Sequence, residues 1–213
     1  MKIGVIGAAG KQGKRIVEEA LKQGYEVTAI VRDKSKITNP EVKVIEKDLF
    51  VLTYEDIKEQ EVIVDAFAAW TTETFILHQT SLQHLADILS GRPNRLFVVG
   101  GAGSLYVNPE QTVRLVETPE FPEMFKPLAG NMASAFAALQ VRKDVNWTYV
   151  SPAAEFDIDG KRTGRYILGE DNLIVNAGGE SYVSYADYAI ALVDEIRNKA
   201  FVGKRFTVVS ERG

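Results

Sequence analysis

Cysteine is missing from all 213 residues. That excludes disulfides, thiolate nucleophiles and cysteine-ligated metals, and it suits a reducing cytoplasm. Histidine is scarce: His78 and His84 are the only two. Six residues apart, they do not share a helix face, and they lack the spacing of a helical metal pair. Both are assigned as surface or packing residues, with no metal expected. No apolar run approaches the roughly 18–20 residues of a membrane helix, and the chain opens directly on a strand pattern, without a signal-peptide profile. A basic excess is also lacking. The net charge of −4 gives neither nucleic acid nor an anionic membrane a reason to bind. Repeats and low-complexity linkers are absent. The expectation is a soluble cytoplasmic protein of one domain, 1–213, monomeric or weakly homodimeric.

What is present is a core: 46% of the residues are hydrophobic, and their pattern is clearest at the start. Residues 2–6 read as an apolar strand and residues 7–13, GAAGKQG, as a tight turn. Residues 12–23 carry Ile16, Val17, Ala20 and Leu21 on one stripe with a period of about 3.6 residues. Gly24 stands where a helix takes a left-handed stop, and residues 26–31 form a second apolar strand. In this βαβ setting the glycines have separate tasks. Gly7 turns the chain off the strand, Gly10 clears space for a pyrophosphate, and Gly13 lets the helix pack close. The helix N-terminus, with the backbone of Ala9, Lys11 and Gln12, supplies amides and partial positive charge for the phosphates.

Arg32 is the first residue off the second strand, with Lys34 and Lys36 close behind. An arginine there suits a ribose 2′-phosphate and predicts NADP(H), whereas an acid suits the free hydroxyl of NAD(H). Asp33, one residue on, leaves NAD(H) open. Further along, strands are expected at 42–46, 61–67, 95–99, 147–150 and 205–209, and long helices at 71–90 and 122–141. Asp48 and Leu49 follow the third strand, where an adenine would lie, and Asp48 could equally cap a short helix at 54–58. Phe67, Ala68 and Ala69 end the fourth, and Gly100 and Gly101 the fifth. Pro152 and Ala153 end the sixth. Ligands bind beyond the carboxyl ends of parallel strands, so all of these are candidate cofactor contacts. Ser104 is the candidate catalytic hydroxyl, able to hydrogen-bond a substrate carbonyl or the nicotinamide amide, or else to close its own turn. Trp70, Tyr106 and Phe156 are candidate substrate contacts. Residues 155–183 break the α/β rhythm and read as a small hairpin insert with strands at 165–168 and 173–175. Within it Glu155, Asp157, Asp159 and Gly160 approximate a calcium loop, but the twelfth position is Tyr166, not a carboxylate. Ser184 then caps a helix with Asp187 at capping-box distance.

Four stretches resemble the atypical short-chain dehydrogenase/reductases: residues 7–13 with Arg32, the run VVGGAGSL at 98–105, the run WTYVSPA at 147–153, and residues 184–194. Within that group the chain is similar to the bacterial NADH–flavin reductase-like proteins, relatives of NmrA-like regulators and of biliverdin-IXβ reductase. The resemblance spans nearly the whole chain. It implies a Rossmann-type doubly wound parallel sheet in the order 3-2-1-4-5-6 with a small C-terminal hairpin and helix cap. It also implies a pyridine nucleotide across the switch point and hydride transfer to a flavin or quinone-like acceptor, the flavin being a substrate and not a prosthetic group. The catalytic Tyr-x-x-x-Lys pair of typical short-chain dehydrogenases is absent from the helix after strand five, where residues 126–140 contain no tyrosine. Where the biliverdin-IXβ reductases place a histidine, this chain has Ala153 and Ala154. The alternative is a non-catalytic NADP(H) sensor of the NmrA type.

Overall fold

The computed structural model describes all residues, 1–213. β1 (Lys2–Ile6), α1 (Lys11–Lys22) and β2 (Glu26–Val31) form where the opening pattern puts them. Gly24, just past the end of α1, has φ +81°, a conformation that costs a glycine little. Then follow β3 (Lys43–Glu46), the single turn α2 (Tyr54–Ile57), β4 (Val62–Asp65), α3 (Leu77–Ile88), β5 (Arg95–Val99), α4 (Lys126–Gln140) and β6 (Asn146–Ser151). The chain closes with β7 (Glu155–Asp157), β8 (Tyr166–Gly169), β9 (Tyr182–Ser184), α5 (Tyr185–Asn198) and β10 (Lys204–Ser210).

The main sheet runs β3-β2-β1-β4-β5-β6-β10-β8, a Rossmann-like α/β order. Its strands are parallel as far as β10, and only the edge strand β8 is antiparallel. Side chains alternate between two cores, as the pleat requires. Ile3 and Val5 join Ile16 of α1 and Leu192 of α5 on one face. Ile6, Ile63 and Leu96 join Leu85 of α3 and Phe136 of α4 on the other. Both faces are therefore covered, which is why the strands read as continuous apolar runs.

Two local expectations need correction. The helix anticipated over 71–90 is split. Thr71–Thr74 close a separate tight turn in which the two threonine hydroxyls lie 3.0 Å apart and the Thr71 N–H donates to Thr74 Oγ1. Such side chain-to-backbone bonds compete with helix continuation, and α3 starts only at Leu77. The insert is not a hairpin either. β8 pairs with β10, while β7 and β9 make a separate two-stranded parallel ribbon. Residues 173–175 form no strand because the Tyr106 loop claims the backbone beside them. Leu173 N–H donates to the Tyr106 carbonyl and Tyr106 N–H to that of Asp171, at 2.8 and 2.9 Å.

Candidate functional site

The order reverses at β1, so the crevice beyond the carboxyl ends of β1 and β4 is the natural ligand site. The two loops there touch. Gly7 has φ +72°, and a Cβ on it would sit 2.6 Å from the Ala66 carbonyl oxygen. A Cβ on Gly13 would sit 2.2 Å from the Gly7 carbonyl oxygen. The glycine turn is thus pressed between β4 and its own helix. Gly10, by contrast, is exposed, and a Cβ there would meet only the Gly7 carbonyl oxygen, at 3.1 Å. Gly10 caps α1 with no side-chain hydrogen bond to the helix. The first amides of the helix lack intrahelical acceptors and lie behind a bare backbone. That cradle fits a pyrophosphate. The Gln12 side chain turns inward, donating to the Tyr185 carbonyl at 3.2 Å, and leaves only its backbone to this site.

At the end of β2, Arg32 is exposed and makes no ion pair. Its neighbours are engaged. Asp33 Oδ1 accepts from both Ser35 N–H and Ser35 Oγ, at 3.0 and 2.6 Å, and Lys34 pairs with Glu46 at 3.3 Å. Asp48 caps its own turn by accepting from Phe50 N–H at 2.9 Å, and Leu49 is buried beside it. Beyond β4, Phe67 meets the His78 ring edge-on at 5.7 Å. His78 Nε2 lies 3.1 Å from the Ala69 carbonyl oxygen. His78 is a packing residue that holds the Ala68–Ala69 backbone, and burial pushes its pKa down.

Asp65 ends β4 almost fully buried. Its one hydrogen bond comes from Phe67 N–H at 3.0 Å. Desolvation outweighs that bond and raises the carboxyl to about 6.

Past β5 and β6 opens a cavity of about 470 Å³, within the range of small-molecule sites. Gly101, Ser104, Pro152, Ala153 and Phe156 all line it, together with Phe121 and Phe125 before α4 and Met132 on it. Most of the wall is apolar. Phe156 is fixed by Tyr185 and Tyr188, with ring centroids at 4.1 and 4.8 Å. Ser104 is held from behind. Arg205, its guanidinium buried, donates to Ser104 Oγ at 2.9 Å and to the Ser104 carbonyl at 3.2 Å. Asp171 balances that charge at 2.7 Å. The Ser104 hydroxyl thus accepts from Arg205 and keeps its own proton to give. Trp70 stands apart, 68% exposed. Tyr106 bridges to Arg114 and Asn172, outside the cavity wall. Tyr149, which no sequence motif marks, also lines the cavity. Nothing in its β6 pattern separates it from a core residue. No helix is long and apolar enough to cross a membrane.

A family model described as NAD(P)H-binding matches residues 7–199. YwnB of Bacillus subtilis (strain 168) is 51% identical over 212 residues, covering 99% of each chain. A crystal structure from Streptococcus pneumoniae TIGR4, named a "putative NADH-flavin reductase", is 45% identical with a TM-score of 0.95, over 99% of this chain and 100% of that one. Another, a "putative epimerase" from Bacteroides thetaiotaomicron, is 34% identical with a TM-score of 0.84, over 100% of this chain and 99% of that one.

Proposed function

The chain belongs to the NAD(P)H-binding family, and from that premise we propose that it is an NADPH-dependent reductase acting on a flavin or quinone-like acceptor. One observation carries the reading. The uncapped, bare N-terminus of α1 and the apolar cavity that begins at Gly101 open at the same end of the sheet. The nucleotide, when bound, supplies hydride. The backbone of Ala9, Gly10, Lys11, Gln12 and Gly13 would hold its pyrophosphate, with Asp48 and Leu49 at the adenine end. Phe67, Ala68, Ala69, Gly100, Gly101, Pro152 and Ala153 would border the rest. The cavity walls exclude water and orient the acceptor. Ser104, its oxygen fixed by Arg205, would direct its proton to the nicotinamide amide.

A large apolar cavity at the same end of the sheet as the glycine turn favours a reductase over a non-catalytic sensor, which has no use for one. An epimerase needs a matched acid and base at the reacting carbon. Only Glu120 and Tyr149 are titratable in this cavity wall, and Glu120 is exposed.

The unpaired Arg32 and the engaged Asp33 support NADPH over NADH. Arg32→Ala is expected to weaken NADPH more than NADH by roughly 1.5–3 kcal/mol, the value of a hydrogen bond to a charged group. Parallel fluorescence titrations with the two nucleotides measure the difference. Equal losses would remove Arg32 from the 2′-phosphate.

A further inference from the structure

Tyr149 is 2% exposed, and its ring is locked. A Cβ on Gly100 would sit 2.1 Å from the Tyr149 ring, and Phe136 stacks on it with centroids at 4.2 Å. The hydroxyl is held beside Gly101, whose N–H donates to it at 3.3 Å. That bond uses an oxygen lone pair and leaves the phenolic proton unassigned. No side chain or carbonyl of the protein accepts it. The contrast with Tyr166 and Tyr188 is direct: they donate to Asp194 and to the Val150 carbonyl, at 2.7 and 2.8 Å. A buried donor without an acceptor is costly, and native proteins seldom carry one without a use.

Tyr149 lines the large apolar cavity. It also lines a small pocket of about 20 Å³ shared with Asp65, His78 and Ser81. We infer that the Tyr149 hydroxyl is the hydrogen-bond donor that seats the acceptor, and that the acceptor presents a conjugated ring carbonyl to it. The inference rests on the reductase reading and deepens it by naming the feature of the substrate that is recognised. Burial keeps the phenol up at about 12, so it is a neutral donor throughout the physiological range. With Ser104 directed to the nicotinamide amide, Tyr149 is the donor left against mostly apolar walls, and it orients a flat ring with a carbonyl edge inward. A quinone and a flavin share that edge. The helix that carries the usual short-chain dehydrogenase tyrosine has none here, and this donor comes instead from a strand.

The test is calorimetry on the full chain without nucleotide, comparing wild type with Tyr149→Phe for 1,4-naphthoquinone, riboflavin and naphthalene. Naphthoquinone, riboflavin or both should bind about tenfold more weakly to the variant, the cost of leaving a buried carbonyl unpaired. Naphthalene, with no carbonyl, should bind equally to both proteins. Which carbonyl compound shows the loss identifies the source of the acceptor. A cooperative thermal transition of the variant checks its fold. Should the variant fail to fold, the infrared carbonyl stretch of naphthoquinone and riboflavin bound to wild type decides. A downshift for either, relative to an apolar solvent, supports the donor. Unchanged affinities for both carbonyl compounds, or unshifted stretches, would overturn the inference and leave the proton directed to Asp65 through a water in the small pocket. A pocket of that size admits one, since about 10–15 Å³ suffices. NADPH titration of wild type is a separate experiment, so failure of the reductase reading is distinguishable from failure of this one.

Discussion

Replacing Gly13 with alanine is expected to destabilise the protein by about 3 kcal/mol, at the upper end of overpacking costs, and to abolish nucleotide binding. Helix propensity alone argues the reverse, since alanine is better than glycine inside a helix by about 1 kcal/mol. The clash wins because the new Cβ would lie 2.2 Å from the Gly7 carbonyl oxygen and 3.0 Å from Ala8 Cα. Both are backbone atoms of the turn that shapes the phosphate cradle, and neither can swing away. Gly130 is the control. It also lies inside a helix, α4, but is exposed, and a Cβ there meets nothing within 4 Å. Gly130→Ala should therefore stabilise by about 0.5–1 kcal/mol. Urea unfolding of the two variants should move the midpoint in opposite directions. A shift of the same sign for both would mean that α1 is free to slide away from β1.

Asp65→Asn should produce a pH-dependent gain that reaches about 3 kcal/mol, because each tenfold change in proton affinity is worth about 1.4 kcal/mol. The buried carboxyl releases its proton near 6, against 3.8 for the free side chain. The native state therefore holds this proton more tightly than the unfolded chain does. Its contribution to stability is fully present below about pH 4 and is lost as pH rises through 6. Asparagine is neutral at every pH and keeps an oxygen for the Phe67 N–H. The variant and wild type should match near pH 4 and diverge by pH 7. Subtraction removes the other carboxylates from the comparison. A difference that is the same at both pH values would mean Asp65 is solvated in the native state.

Much of this architecture is legible in the chain itself. Strands covered on both faces, such as β4 and β5, have to be continuous and apolar. The glycine turn announces itself because three of its positions tolerate no side chain or need none. The Ser184 cap also reads locally, and its hydroxyl accepts from Asp187 N–H at 3.0 Å. What escapes is whatever a distant partner decides. The Asp187 carboxylate does not complete the box but accepts from Thr163 and Gly164 in the insert. β8 has the same alternation whether it pairs with residues 173–175 or with β10, and Tyr106 breaks the tie. The residues proposed for the nucleotide can be named from the chain because the ends of parallel strands are legible in it. The cavity wall is legible only at Ser104 and Phe156, because Phe121, Phe125 and Met132 come from a segment whose pattern marks no ligand site. Tyr149 sits among Trp147, Thr148 and Val150 in a strand pattern that carries no mark of its hydroxyl's surroundings.

One end of the sheet should both hold NADPH and deliver its hydride to a small conjugated acceptor. The direct measurement is to titrate purified protein with NADPH by cofactor fluorescence, then add FMN, FAD, riboflavin and a naphthoquinone and follow nicotinamide absorbance. Saturable binding, followed by oxidation faster than in buffer for at least one acceptor, is the predicted result. Saturable binding with oxidation no faster than buffer across all of them would contradict it.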